Sequence, residues 1–138
     1  MADRVRKVNY CYITVPARAG SGAKALGALK AAGVNMLAFS GFPASAGKAQ
    51  LDFVVEGPAA LKRIAAKNRW RLSPAKKAFL VQGADRPGAV QAHMKKLADR
   101  GISVTAANAV TTDRGRYSMI LWVKPKDYAK AAKALGAR

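Results

Sequence analysis

The sequence predicts an α+β chain made of two tandem β-α-β-β-α-β units, the second lacking a clear last strand, each with an antiparallel sheet and its helices on one face. Three observations predict it. The chain resembles itself at an offset of 68 residues; strand-type alternation gives way to helical spacing at matching points of each half; and glycines recur in register at those changeovers. The offset lays Ala17-Arg18-Ala19-Gly20 on Asp85-Arg86-Pro87-Gly88, Leu29 on Leu97, Gly33 on Gly101, Gly47 on Gly115 and Val55 on Val123 without a gap. Glycines mark backbone geometry that other residues resist, so their recurrence argues for one supersecondary unit used twice. The repeats are 1–72 and 73–138, joined near Leu72-Ser73-Pro74, where proline pushes its predecessor out of helical geometry.

Residues 8–15 and 77–82 alternate as strands, and a glycine-bearing turn leads each into an amphipathic helix. In the second copy the apolar positions Val90, Met94 and Leu97 follow the i, i+4, i+7 spacing of a helix. Gly33 and Gly101 close these helices as C-terminal caps. Strands follow at 34–42 and 102–111, turns at Gly47 and Gly115, and strands again at 49–55 and 116–123. Helices at 58–67 and 126–135 begin near Pro58 and Pro125, where the first turn tolerates proline. A short fourth strand fits at 69–72, whereas the second copy reaches Arg138 with no room for one. This order is the ferredoxin-like split β-α-β arrangement.

Alternation sorts the strand residues by face. Cys11, Ile13, Met36, Leu51, Phe53, Phe79, Val81, Met119 and Leu121 are expected beneath the helices, with Cys11 an inert buried thiol. Tyr10, Tyr12, Leu37, Phe39, Val54, Leu80, Ile120 and Trp122 fall on the opposite face, which is too apolar to be left in water. A homodimer packing through that outer sheet face is the expected cover.

Composition narrows function. The chain has 138 residues, 51% of them hydrophobic, enough apolar surface for a folded core, although Ala alone accounts for 30. No apolar run reaches the roughly 18 residues of a membrane span, and Asp3, Arg4, Arg6 and Lys7 interrupt any signal-peptide core. The chain is read as cytoplasmic, with no membrane partner. One cysteine and one histidine exclude a disulfide framework and metal clusters built from those residues, and no cofactor is expected. No phosphate-binding glycine loop, nucleophile elbow or close carboxylate pair is present, so catalysis is not expected. His93, with no Ser, Cys or acid at motif spacing, reads as structural or exposed. A net charge of +18, densest through Lys62, Arg63, Lys67, Arg69, Arg71, Lys76 and Lys77, suits an acidic protein or nucleic-acid partner. Nucleic-acid binding through this basic surface and the aromatics Tyr10, Tyr12 and Trp122 of the outer face is the competing function. Asp52 on that face, and third strands without the paired aromatics of RNA-binding modules, count against it.

The second copy, AFLVQGADRPGAVQAHMKKLADRGISVTAANAV, runs strand, Asp85-Arg86-Pro87-Gly88, helix, Gly101-Ile102, strand. This resembles the ACT domain, a small-molecule-sensing module, and the first copy, with Ala17-Arg18-Ala19-Gly20 and Gly33-Val34-Asn35-Met36, looks like a drifted member of the same family. The resemblance implies a non-enzymatic, allosteric regulatory protein that binds an amino acid or similar small molecule at the interface between paired domains. The loop glycine lets backbone approach a ligand, and the free N–H groups of the following helix suit a carboxylate. Carried onto this chain, the family pattern implies one site from Asp85, Arg86, Gly88, Ala89 and Val90 with Asn35. A weaker second site would use Arg18, Gly20, Ser21 and Gly22 with Ser103, where the acidic residue, the proline and the Asn are missing. Read without the family, Asp85 is a turn former, Asn35 a turn or strand-edge residue, and Arg18 and Arg86 solvated arginines.

Overall fold

The computed structural model describes residues 2–138 and carries the predicted α+β architecture. Its elements are β1 (Arg4–Pro16), α1 (Ser21–Ala31), β2 (Ala38–Pro43), β3 (Lys48–Val55), α2 (Ala59–Asn68), β4 (Lys76–Ala84), α3 (Ala89–Ala98), β5 (Val104–Thr112), β6 (Arg116–Val123) and α4 (Tyr128–Leu135), the last preceded by a 3-10 turn at Pro125–Asp127. They form two compact units, Asn9–Lys76 and Lys77–Arg138, and the N-terminal stretch up to Val8 belongs with the second.

In Asn9–Lys76, β3 pairs antiparallel with β1 from Asn9↔Val55 to Pro16↔Lys48. On its other side β3 pairs antiparallel with β2 from Ala38↔Val54 to Pro43↔Ala49. Cys11, Ile13, Leu51, Phe53 and Val55 meet Ala25 and Leu29 of α1 and Leu61 and Ile64 of α2 in one core. This is the face that alternation assigned to the helices; Met36 only packs against its margin. Phe53 stacks on Trp70 with ring centroids 6.0 Å apart, so the segment after α2 closes the core as an aromatic lid.

The second unit repeats the plan. β6 pairs antiparallel with β4 from Phe79↔Leu121 to Ala84↔Arg116 and with β5 from Val104↔Val123 to Thr112↔Arg116, with a register shift between Val104 and Ala106. Phe79, Val81, Met119 and Leu121 pack with Leu97 of α3 and Ala131 and Leu135 of α4. Tyr128 stacks nearly flat on Phe79, centroids 4.4 Å apart, and its hydroxyl donates to the Ala78 carbonyl at 2.9 Å. The chain end lies against the start of β1: Lys7 N–H donates to Arg138 O at 2.9 Å and Arg138 N–H to Val5 O at 3.1 Å.

The duplication read from sequence extends to individual hydrogen bonds. Ala17 N–H donates to Gly47 O and, 68 residues on, Asp85 N–H donates to Gly115 O. Both first helices end in a Schellman arrangement: Val34 N–H reaches Leu29 O as Ile102 N–H reaches Leu97 O, each at 3.0 Å. The left-handed residue this motif needs is the predicted capping glycine, with φ 71° at Gly33 and 69° at Gly101.

Three expectations change. Residues 69–72 form no strand. Arg69 turns left-handed (φ 57°) to end α2, and it is Ser73 that bonds to the β1 backbone, its Oγ accepting from Tyr12 N–H and its N–H donating to Tyr12 O, both at 2.9 Å. Pro74 follows, and without an N–H it cannot extend a ladder. The strand expected at 34–42 begins only at Ala38, because Val34 is consumed by the helix cap. Finally, the outer sheet face is not open. Tyr10, Val54, Leu80, Ile120 and Trp122 are all below a tenth exposed in the single chain, so their apolarity calls for no second copy; Tyr12 and Leu37 are half-buried, and Phe39, expected on this face, instead pairs with Phe53 and stacks on it. Among the described residues, the large apolar side chains that remain exposed are Phe39 and Phe42 on β2 and Val110 on β5.

Candidate functional site

The β4–α3 loop is shaped by its own backbone. Asp85 is exposed and its N–H is spent on Gly115 O at 2.8 Å. Arg86 O accepts from Ala89 N–H at 3.1 Å, and Gly88, at φ 83°, turns the chain into α3 and accepts from Ala92 N–H at 3.0 Å. A left-handed N-cap is what the glycine supplies, and no side chain caps the helix, whose first turn holds no acid. Ala89 is buried and Val90 half-buried at that turn. Asp85, Arg86, Gly88, Ala89 and Val90 are thus brought together around an uncapped helix start.

The β1–α1 loop matches it. Arg18 is exposed and its carbonyl accepts from Ser21 N–H at 3.3 Å; Gly20, at φ 90°, is again a left-handed N-cap with no side-chain cap, and Ser21 and Gly22 are half-buried in the first turn. Asn35 is exposed in the loop before β2 rather than at the strand's start, and Ser103 is exposed immediately before β5.

Beside the β4–α3 loop stands a polar cluster that sequence reading missed. The Asp3 side chain, 5% exposed, reaches back over β4, where its Oδ2 accepts from the Tyr117 hydroxyl at 2.5 Å and from His93 Nε2 at 2.7 Å. His93 Nε2 is also 3.1 Å from the Tyr117 hydroxyl. Arg86 Nη1 lies 3.6 Å from Asp3 Oδ1 while donating to Ala84 O at 3.0 Å. Burial raises the Asp3 pKa, but the hydrogen bonds from Tyr117 and His93 and the charges of His93 and Arg86 outweigh it, so the carboxyl titrates below its usual range. Burial, with the bond to Asp3, pushes the Tyr117 hydroxyl up. Among the described residues, Asp3 Oδ1 and His93 Nδ1 are buried without a hydrogen-bond partner. His93 shares the buried stripe of α3 with Ala89 and Leu97, one turn apart on either side, which is the only sequence signal that could have placed it inward.

Two other readings are settled by burial. Of the aromatics in the nucleic-acid reading, Tyr10 and Trp122 are buried and so are closed to base stacking, while Tyr12 is half-buried with Lys76 Nζ 5.4 Å from its ring centroid. Asp52 is also buried, held by Gln50 Nε2 at 2.9 Å, and burial raises its pKa. The basic residues, by contrast, line the helices: α1 to α4 carry Lys24, Lys30, Lys62, Arg63, Lys67, Lys95, Lys96, Lys130 and Lys133, all exposed, and not one Asp or Glu. Among the described residues no helix is long and apolar enough to cross a membrane.

No protein-family model and no curated protein matches this chain. Solved structures do. A Bacteroides thetaiotaomicron protein superposes with a TM-score of 0.79 at 15% identity over 97% of this chain and 88% of its own. The ligand-free regulatory subunit of aspartate kinase from Thermus thermophilus does so at 0.63 and 18% identity over 98% and 93%. The whole aspartate kinase of Clostridium acetobutylicum matches at 0.56 and 16% identity, over 97% of this chain but only 33% of the enzyme. The fold is therefore one shared with regulatory subunits of aspartate kinase, and it is the fold that the resemblance carried by the Asp85-Arg86-Pro87-Gly88 loop implies.

Proposed function

We propose that this chain is a non-enzymatic, cytoplasmic regulatory protein that binds an amino acid or similar small zwitterion. Asp85, Arg86, Gly88, Ala89 and Val90 form the principal binding loop with Asn35 as the residue contributed by the first repeat, and Arg18, Gly20, Ser21, Gly22 and Ser103 form a weaker second site. The observation that carries this reading is the pair of glycine-turned, uncapped helix starts at matching positions, since unpaired N–H groups at a helix's positive end attract a carboxylate. The fold shared with regulatory subunits of aspartate kinase supports it. A thermal-shift panel of the twenty amino acids tests it: one or a few should raise the melting temperature. Asp85→Ala and Asn35→Ala should each weaken the hit roughly ten- to a hundredfold, the worth of one charge-assisted hydrogen bond. Unchanged affinity in both, with loss in Ser103→Ala, refutes the assignment. The same reading includes a homodimer, checked by sedimentation across a dilution series; Phe39, Phe42 and Val110 on β2 and β5 are the exposed apolar groups available to it.

A second reading is favoured by the acid-free helices. Each unit has its own exposed basic residues for a polyanion, whether nucleic acid or an acidic protein: Lys24, Lys30, Lys62, Arg63 and Lys67 on α1 and α2, and Lys96, Lys130 and Lys133 on α3 and α4, where Lys95 is paired with Asp99. Filter binding with single-stranded nucleic acid should weaken steeply with salt if phosphates are contacted, and a flat response rejects that partner.

A further inference from the structure

The first repeat builds the same strand, loop and helix with the arginine, Arg18 at the position of Arg86, but without the imidazole or phenol gathered at Asp3. At the offset of 68 residues it has Val15 where the second has Gly83, Ala25 where the second has His93, and Ala49 where the second has Tyr117. The fold does not need the cluster, and burying a carboxylate, an imidazole and a phenol is costly unless they are paired. Yet the pairing is incomplete. Arg86 Nη1 stops 3.6 Å from Asp3 Oδ1, that oxygen has no hydrogen-bond partner, and His93 Nδ1 is buried with none. The receptor side, in contrast, is well formed: a phenolic O–H, an imidazole N–H and a guanidinium converge on one carboxylate. Gly83 makes room for it, since a Cβ there would overlap Asp3 Oδ1.

We propose that Gly83, Arg86, His93 and Tyr117 form a receptor for a carboxylate group, that Asp3 fills it as a tethered surrogate, and that a small carboxylic acid or amino acid competes with Asp3 for the position. The tether explains the imperfect fit. Asp3 is fixed by its connection to β1, which starts at Arg4, and it reaches Oδ2 contacts but not a bond from Arg86 to Oδ1. A free carboxylate has no such constraint. Asp3 precedes the strand, so its departure breaks no ladder pairing of β1. Occupancy by ligand would then release Asp3, which gives a ligand-dependent change in the stretch that leads into β1. This goes beyond the amino-acid reading: the two share Arg86, but the pocket lies on the Asp3 side of the loop and is tested without an amino acid.

Acetate is the probe, being the aspartate side chain without its backbone. In Asp3→Ala, acetate should shift the ring resonances of His93 saturably, at least about tenfold more tightly than in the wild type, where a tethered competitor acts at an effective concentration in the millimolar range or above. Asp3→Asn, which keeps the bulk and loses the charge, should give an intermediate affinity and carries the test if the alanine variant does not fold. In the Asp3→Ala background, adding Tyr117→Phe and Arg86→Ala should abolish the response. No saturable change at His93 in either Asp3 variant, or equal affinity in variant and wild type, overturns the proposal. Failure of the amino-acid panel leaves this result standing, and failure here leaves the panel's result standing.

Discussion

Gly83→Ala isolates the Asp3 cluster with a single methyl group. An ideal Cβ at Gly83 would overlap Asp3 Oδ1 and Cγ and would stand 3.2 Å from its Cβ, so the carboxylate must swing out; the backbone itself tolerates alanine, because Gly83 is not among the left-handed glycines. What is lost is the pair of bonds from Tyr117 and His93 to Oδ2. Bonds to a charged group are worth about 1.5–3 kcal/mol each. Rehydration of the freed carboxylate returns part of that, and alanine's smaller unfolded-state entropy returns about 0.4–1 kcal/mol. The net loss should be about 1.5–3 kcal/mol, read by urea unfolding. The decisive measurement is the same substitution in an Asp3→Ala background, where only the Cβ of residue 3, 3.2 Å away, remains and a shift of a few tenths of an ångström relieves it, so Gly83→Ala should be close to neutral. Equal destabilisation in both backgrounds would show that the methyl group clashes with something other than Asp3 and would refute the reasoning.

Three further outcomes follow from the geometry. Tyr128→Phe keeps the stack on Phe79 but orphans the Ala78 carbonyl, and urea unfolding should report a loss of about 1–3 kcal/mol. Asp3→Asn should lower stability at neutral pH. The folded Asp3 pKa lies below the unfolded value of about 3.9, so the wild-type advantage is fully present above that pH and disappears as pH falls through the folded value, which an acid-unfolding comparison of the two chains will show. Asp52→Asn should act with the opposite sign, because burial raises the Asp52 pKa against the pull of Gln50 and Lys76. The variant gains stability at neutral pH and loses that gain below about pH 4, where wild-type Asp52 is also uncharged.

The repeat offset, the strand alternation and the capping glycines made most of the fold legible. Each is a local property: Gly33 and Gly101 announce a left-handed backbone whatever surrounds them, and Cys11, Ile13, Leu51 and Phe53 alternate with the pleat that buries them. Expectations failed where a residue's partner, not its own preference, decides. Residues 69–72 have strand-like composition, but Ser73 takes the position beside Tyr12 and Pro74 blocks continuation. Most outer-face residues were assigned to a face and expected to be covered, and Tyr10, Val54, Leu80, Ile120 and Trp122 are covered within the single chain, but Phe39 pairs with Phe53 and stacks on it, on the helix side. Alternation reports which side a residue points to only where the strand's register is right, and nothing about what lies there.

The candidate site divides along the same line. Asp85-Arg86-Pro87-Gly88 is contiguous, and its geometry follows from turn preferences that act within four residues, so the loop was readable. The Asp3 cluster joins residues 90 and 114 positions apart, and no periodicity or motif spacing encodes such a meeting. His93 carried half a signal: it continues the Ala89 and Leu97 stripe of α3, and a buried imidazole must find a partner. The missing half was the acid, because Asp3 stands among Arg4, Arg6 and Lys7 in a stretch that reads as a solvated charged terminus. Comparison of the two repeats supplies the physical argument that sequence alone withheld. Where one copy holds Val15, Ala25 and Ala49 and the other holds Gly83, His93 and Tyr117, the shared fold is common to both and the difference in chemistry belongs to the second alone. Because the matching position of the first repeat holds alanine in the same fold, the fold itself does not call for an imidazole. The reason has to be what the imidazole holds.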